Sequence, residues 1–448
     1  MALFGTDGVR GIANHELMPE LAMRIGQAAG AMLGHGTQVL VARDTRVSGP
    51  MLEAALTAGL TSQGVHVLMA GVIPTPALAH LIDGMNASAG IMISASHNPP
   101  EYNGIKLLDR GGRKWPTIRE NEVETGVLSP TALPVPSPDR IGNVLHIEED
   151  ARARYLKYLQ SLFAGRIRPL KVVADVAHGA AITTAPPILH QLGLQVTVLN
   201  GEADGLRINQ NCGATHPDII RQAVLQYHAD IGLSFDGDAD RLIAIDELGH
   251  VVDGDEILYA LAVGMKHRGE LLQNTVIATV MSNLGLQKAL ERQEIRLERT
   301  PVGDRWVAEK MREGHFSLGG EQSGHVILSQ WAETGDGVLT ALALLWEMSR
   351  QGCPLSELVQ PVERYPQLLH NVQLPHAVAD WQQEIPNLME LVALAQHELG
   401  DEGRIVIRPS GTEPLLRIML EGRDAGQIRC WADRMAAVVN NALQSAKA

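Results

Sequence analysis

Short apolar runs separated by polar, glycine-punctuated loops recur along most of the chain. Residues 39–42 read as a strand; a polar loop follows, then an amphipathic helix near 51–62 and a second strand at 65–68. The same order returns at 171–174, with a helix near 181–191 and a strand at 195–199. It returns again at 275–280, with a helix near 284–293 and a strand at 295–298. Strand, helix and strand at this spacing form the βαβ unit of a mostly parallel sheet. Three copies predict three related α/β domains, alike in pattern and not in residues.

From Tyr365 onward the pattern changes. Strand-like segments at 403–407 and 415–420 precede a helix from about Ala425. That helix sets Ile428, Trp431, Met435 and Val439 on one face, which predicts a smaller C-terminal α+β domain. The stretch 128–139 holds Pro130, Pro134, Pro136 and Pro138 and marks a connector. The expected domains are 1–150, 151–252, 253–364 and 365–448.

Composition agrees with this plan. At ~100–200 residues per domain, 448 residues suggest three or four domains. Hydrophobic residues make up 45% and charged residues 20%, an ordinary globular mix. The formal charge of −14 argues against nucleic acid or an anionic membrane as the main partner. No apolar run approaches the ~18 residues of a membrane span, and the N-terminus lacks the pattern of a signal peptide. Cys212, Cys353 and Cys430 are far apart, so they form neither a metal cluster nor a disulfide framework. A cytoplasmic protein is expected.

Several motifs could carry chemistry. Ile93-Ser94-Ala95-Ser96-His97-Asn98-Pro99 places two serines beside a histidine, directly after an apolar run. One could be a nucleophile, but spacing alone does not choose between Ser94 and Ser96. In Asp236-Gly237-Asp238-Ala239-Asp240-Arg241, three carboxylates at alternate positions can converge on a hard divalent cation. The plain alternative is an acidic, solvated turn between two strands. An EF-hand is rejected, because its sixth position needs Gly and here is Arg241. Arg408-Pro409-Ser410-Gly411-Thr412-Glu413, with Arg417 beyond, combines exposed backbone N–H groups, hydroxyls and guanidinium groups, as an anion site would. Glu321-Gln322-Ser323 lies on a glycine-flanked loop and suits sugar hydroxyls or an amine, or is a surface turn. The loops 4–11 and 43–49 carry arginine between glycines. Lys106 is a candidate general acid or base. Asp304 and Arg305 fit either a functional loop or a surface ion pair. The chain has no Walker loop and no dinucleotide fingerprint.

Taken together and in order, FGTDGVRG, RDTRVSG, SASHNP, NGIK, DGDADR, GEQSGH and RPSGTEP resemble the phosphohexomutase family over essentially the whole chain. FGTDGVRG, VGDRW and GEQSGH resemble most the branch that interconverts glucosamine 6-phosphate and glucosamine 1-phosphate, on the route to UDP-N-acetylglucosamine and peptidoglycan. The sister activities on glucose and mannose phosphates are the nearer alternative, and a divalent-metal phosphatase the remoter one. The resemblance implies three α/β domains and a smaller fourth around a central cleft, and a phosphoserine at Ser96. It implies Mg²⁺ on Asp236, Asp238 and Asp240 with the Ser96 phosphate as a further ligand, and a hexose 1,6-bisphosphate as activator and intermediate. Arg10, His97, Lys106 and Arg241 are implied around the transferring phosphate. Glu321 and Ser323 are implied on the sugar, with Gln322 in a loop that varies with substrate. Arg408, Ser410, Gly411, Thr412 and Arg417 are implied on the distal phosphate. A homodimer is expected. The sequence departs from the family at Ala239, where Gly is usual, at His178, where Asn is usual, and at Trp306, where Tyr is common.

Overall fold

The computed structural model describes residues 3–445, apart from Thr6, 130–132, 134–135, 375–380 and 410–413. Two compact units make up the chain. One comprises Met1–Thr279 and Glu298–Gln360, the other Val280–Leu297 and Pro361–Ala448.

Three sheets of one design build most of the first unit. In the first, strands Gln38–Arg43, His66–Val72, Ala89–Ile93 and Val144–His146 run parallel, and Tyr102–Asp109 and Val9–Ile12 add antiparallel edges. In the second, Lys171–Asp175 lies between Gln195–Leu199 and Ile231–Phe235, all parallel, and Leu242–Ile245 and Val251–Val252 continue antiparallel. In the third, Thr275–Thr279 lies between Arg296–Thr300 and Leu318–Gly320, and Val326–Leu328 closes the edge antiparallel. The central parallel strands read as nearly unbroken apolar runs because both their faces are covered, whereas the edge strands Gln195–Leu199 and Val144–His146 are partly exposed. Val39, Leu40, Val41 and Ala42 are all fully buried.

In each sheet the first strand of the βαβ unit has its second strand on one side and its third on the other. The chain therefore reverses its direction of winding beside the first strand, and a crevice opens at the carboxyl ends of the strands there. That crevice fixes where the motifs fall.

The predicted elements stand with small shifts, save one. Residues 181–191 form no continuous helix: a 3₁₀ turn, Ala180–Thr183, is followed after Thr184 by a helix, Ala185–Gln191. Pro186 and Pro187 explain the break. Neither has an N–H to donate to a preceding turn, so both sit in the first turn of a helix that starts afresh.

The second unit carries the antiparallel sheet Gln367–Gln373, Leu415–Gly422, Gly403–Pro409. The helix Ala425–Ser445 packs on it through Ile428, Trp431, Met435 and Val439, all buried. Each such side chain contributes roughly 1.5–3 kcal/mol. Among the described residues no helix is long and apolar enough to cross a membrane.

Candidate active site

Each reversal point holds one of the polar motifs. The serine loop follows Ala89–Ile93, the third strand of the first sheet. The acidic loop follows Ile231–Phe235, and Glu321-Gln322-Ser323 follows Leu318–Gly320, the corresponding strands of the other two sheets. The loop from Asp44 to Ser48 leaves the strand beside the serine loop. One topology repeated three times thus delivers three chemically different loops to equivalent places.

The two serines have different surroundings. Ser94 is locked: its Oγ donates to Asp44 Oδ2 at 2.6 Å and accepts the Ser96 N–H at 2.9 Å. Ser96 sits in the left-handed region at φ 50°, a costly place for a residue with a Cβ. Its Oγ donates to Asp236 Oδ2 at 2.6 Å. The two hydroxyls therefore differ: Ser94 is held on Asp44, and Ser96 reaches the acidic loop at Asp236.

Asp236, Asp238 and Asp240 are all buried, and one oxygen from each lies within 4.8 Å of the others. Burial removes the solvated-turn reading. Asp238 Oδ1 and Asp240 Oδ1 are buried with no hydrogen-bond partner, a costly state for a carboxylate. Three hard oxygen donors with orphaned lone pairs fit a hard divalent cation. Burial, and then the Asp240 and Asp238 charges, push the Asp236 carboxyl well up. Thr75 clamps Asp238, donating from Oγ1 to Oδ2 at 2.6 Å.

Basic groups surround the triad. Lys106 is buried, 2.9 Å from Asp238 Oδ2 and 3.1 Å from Asp7 Oδ2. Burial opposes its charge, but Asp238, Asp7 and Asp240 outweigh burial and hold it protonated. Asp7 also pairs with Arg10 and Lys114, and Lys114 reaches Asp304 Oδ2 at 2.6 Å. Arg10 donates to Asn98 Oδ1 at 3.1 Å. His325 Nδ1 lies 3.6 Å from Asp240 Oδ2 and Nε2 lies 3.8 Å from Asp304 Oδ2. Burial opposes a charge on the His325 ring, but the Asp240 carboxylate beside Nδ1 raises its pKa to about 9, while Nε2 accepts the Gly335 N–H at 3.1 Å. His97 goes the other way: burial, then Arg241 and Arg10, lower it to about 4. Carboxylates and basic side chains thus alternate from Asp238 through Lys106, Asp7, Lys114, Asp304 and His325 to Asp240.

Comparison with known proteins places the chain in a family. The chain matches models of the phosphoglucomutase/phosphomannomutase alpha/beta/alpha domains I, II and III over residues 1–132, 153–249 and 253–365. It matches the C-terminal domain of those enzymes over 369–438. The chain belongs to the phosphoglucomutase/phosphomannomutase family. It is a mutase. It is 47% identical over 444 residues to the phosphoglucosamine mutase of Thermoanaerobacter pseudethanolicus, covering 98% of this chain and 99% of that one. With the phosphoglucosamine mutase of Saccharopolyspora erythraea identity is 48% over 442 residues, 98% of each chain. Among solved structures, a phosphoglucomutase/phosphomannomutase family protein from Burkholderia thailandensis superposes with a TM-score of 0.81 at 25% identity. That match covers 100% of this chain and 98% of the other. The Aspergillus fumigatus N-acetylphosphoglucosamine mutase, solved with GlcNAc-6P and magnesium, shares the fold at 17% identity and a TM-score of 0.71. Coverage there is 98% of this chain and 96% of the other.

The loop 321–325 is tied to its surroundings by backbone. Leu242 N–H donates to Gly324 O at 3.0 Å, Gly254 N–H to Gln322 O at 3.0 Å and Glu321 N–H to His325 O at 2.9 Å. The Glu321 carboxylate accepts from Gly303 N–H at 3.1 Å and from Ser323 Oγ at 3.4 Å. Gly303 adjoins Asp304, so this loop and the segment 302–306 support each other. Asp304 and Arg305 do not form the surface ion pair that was one reading of them. Asp304 pairs with Lys114, while Arg305 reaches Glu120 Oε2 at 2.9 Å and Thr117 Oγ1 at 2.8 Å. Arg241 donates its N–H to Asp236 Oδ1 at 3.2 Å, and its side chain lies 3.8 Å from Asp240.

In the second unit, Arg408 and Arg417 stand directly opposite each other on adjacent strands. Burial, then the Arg417 charge, lower the Arg408 pKa. Like charges so placed repel unless an anion lies between them. Ser410, Gly411 and Thr412 lie outside the described residues.

Asp7, Thr75, Lys114 and His325 joined the cluster without having been singled out from sequence. Asp7 and His325 lay inside quoted motifs. Thr75 and Lys114 had no local signal, since only tertiary contact brings them in. Of the departures, Ala239 has φ 56° and is buried, the backbone state in which Gly costs least. The carbonyl of His178 accepts from Thr45 Oγ1 at 2.5 Å, a contact that its side chain does not make. Trp306 is half exposed at the start of the helix Asp304–Gly314.

Proposed function

We propose that this mutase interconverts glucosamine 6-phosphate and glucosamine 1-phosphate, through a phosphoserine at Ser96 and a 1,6-bisphosphate intermediate. One observation carries the reading: the Ser96 hydroxyl lies 2.6 Å from Asp236, within a buried carboxylate triad that has orphaned oxygens. The two relatives at 47–48% identity, both phosphoglucosamine mutases, support the choice of sugar.

In this reading the substrate hydroxyl oxygen bonds to the Ser96 phosphorus as the P–Oγ bond breaks. The resulting bisphosphate turns end for end and returns its other phosphoryl group to Oγ. Asp236, Asp238 and Asp240 would hold Mg²⁺, which would draw charge from the phosphoryl oxygens. Arg10, Arg241 and Lys106 face the phosphoryl dianion with positive charge. Lys106, held protonated here by Asp238, Asp7 and Asp240, faces the phosphoryl group as a cation and is the candidate general acid or base. His97 Nδ1 lies 3.4 Å from Ser96 Oγ, beside the transferring group. Glu321, Gln322 and Ser323 take the sugar hydroxyls, and Arg408 and Arg417 grip the distal phosphate with Ser410, Gly411 and Thr412. A hexose 1,6-bisphosphate loads Ser96 at the start. A cytoplasmic location and a homodimer belong to the same reading; sedimentation of the full chain tests the dimer.

The deciding experiment is turnover of glucosamine 6-phosphate with Mg²⁺ and catalytic hexose 1,6-bisphosphate, beside glucose and mannose 6-phosphates. Preference for the amino sugar and a dead Ser96→Ala variant are expected. Faster turnover of glucose or mannose phosphate would move the specificity to a sister activity. Phosphate release that keeps pace with substrate loss would make the protein a phosphatase.

A further inference from the structure

Behind the turn that carries Ser96 lies a buried guanidinium with no part in the steps above. Arg46 is fully buried. It donates to the carbonyl oxygens of Ser96 at 2.9 Å, Asn98 at 2.7 Å and Tyr102 at 2.8 Å, and to that of Pro99. Its Nε donates to Asp44 Oδ2 at 3.0 Å, the oxygen that also accepts from Ser94. From the second sheet's side, Asn209 Nδ2 reaches two of the same carbonyls, Ser96 O at 2.8 Å and Asn98 O at 3.1 Å.

Two physical consequences follow. The left-handed backbone at Ser96 costs roughly 1–2 kcal/mol and persists only where its surroundings over-determine it. Four carbonyls drawn to one cation, two of them gripped again by Asn209, supply that constraint. A carbonyl oxygen is also the negative end of its peptide dipole. Turned inward onto Arg46, these four oxygens are neutralised, and their repulsion of a phosphoryl dianion on Ser96 is reduced.

We infer that Arg46, backed by Asn209, is a positioning residue that aims the Ser96 phosphoryl group at the sugar and away from water. The inference rests on Ser96 being the phosphoryl carrier. In both fates the P–Oγ bond breaks and Oγ regains a proton. With sugar, the substrate hydroxyl oxygen bonds to phosphorus and gives the bisphosphate. With water, the water oxygen bonds instead and gives inorganic phosphate. A carrier held at a fixed φ favours the first because the acceptor is itself bound in one place.

The test loads the full-length enzyme with labelled glucose 1,6-bisphosphate and Mg²⁺, chases with sugar monophosphate, and measures label in bisphosphate and in inorganic phosphate. Wild type, Arg46→Lys, Asn209→Ala and Ser96→Ala run together. Misaiming by about 1 Å costs on the order of 100-fold, so Arg46→Lys should lose about that factor in kcat with KM unchanged. The share of label released as inorganic phosphate should rise at least about tenfold, because water needs no alignment. Asn209→Ala should shift the share in the same direction by less. It decides the matter if Arg46→Lys does not fold. A fall in kcat that only tracks the folded fraction, with the share unchanged in both variants, would overturn the positioning role and leave Ser96 as carrier. If wild type takes up no more label than Ser96→Ala, the phosphoserine reading falls, and this inference with it.

Discussion

The ammonium of Lys106 lies 2.9 Å from Asp238 Oδ2 and 3.1 Å from Asp7 Oδ2, with almost no solvent beside it. Removing one partner of a buried ion pair leaves the other charge uncompensated, at a cost of about 3–5 kcal/mol. Lys106→Met should be destabilised by that order in metal-free urea titrations and should lose mutase activity. A loss below about 1 kcal/mol would mean that the pair contributes little beyond its own desolvation.

Ala239 holds a left-handed backbone at φ 56°. Left-handed geometry costs a residue with a Cβ roughly 1–2 kcal/mol, and the extra freedom of Gly in the unfolded chain takes back about 0.4–1. Ala239→Gly should therefore raise stability by about 0.5–1 kcal/mol. Ala244→Gly, in the buried strand Leu242–Ile245, is the control and should lower it. Denaturation midpoints of the two variants settle the comparison.

The orphaned oxygens of Asp238 and Asp240 predict that a divalent cation stabilises the folded chain by mass action. Tm should rise with Mg²⁺ concentration, and chelation should reverse the rise and abolish turnover. Asp236→Asn should flatten the dependence of Tm on Mg²⁺. A Tm that ignores Mg²⁺ in wild type would sink the assignment.

Asp336 caps the helix Gly337–Gln351, accepting from Leu339 N–H at 2.9 Å and from the Tyr155 hydroxyl at 2.6 Å. Burial pushes its carboxyl up to about 6, against those hydrogen bonds. A carboxyl raised in the folded state binds a proton there that the unfolded chain lacks. Its stabilisation is full below about pH 4 and is lost as pH rises through about 6. Asp336→Asn keeps a good cap and removes the charge. Relative to wild type, the variant should gain stability from pH 4 to 6 and hold that gain above. A constant difference across pH would count against the raised value.

Arg408 and Arg417 repel across adjacent strands. Arg408→Ala should leave urea stability unchanged or slightly higher while raising KM for the sugar phosphate by at least about tenfold, the worth of one charge-assisted contact. A stability loss with KM unchanged would make the pair structural.

Much of the fold was legible because the central parallel strands, such as Gln38–Arg43, Lys171–Asp175 and Thr275–Thr279, are buried and so appear as continuous apolar runs, and the partly exposed edge strand Gln195–Leu199 still keeps a β-branched alternation. The strand at 195–199 and the helix face of Ile428, Trp431, Met435 and Val439 stand where the pattern put them. The helix expected at 181–191 failed at Pro186 and Pro187, whose missing N–H groups outweighed the apolar period. The acidic loop was legible as chemistry because three aspartates in five residues have few other uses. Spacing did not choose between Ser94 and Ser96, which alternate along one short loop; only the family resemblance pointed to Ser96. In the structure the Asp44 bond to Ser94 and the Asp236 bond to Ser96 give them different surroundings. Thr75 and Lys114 were invisible because a side chain far along the chain leaves no mark near the aspartates it touches.

The loop 321–325 is fastened by its peptide groups, through Leu242, Gly254 and its own Glu321 to His325 turn. Anchors of that kind take no notice of the side chains at 322 and 323, while Glu321, Gly324 and His325 make ties of their own. Such a loop works as an exchangeable cassette. Gln322 and Ser323, proposed to face the sugar, can be replaced while the serine and aspartate loops, mounted on other sheets, keep their settings. New acceptor preferences can then arise in one short segment without renegotiating the phosphoryl chemistry.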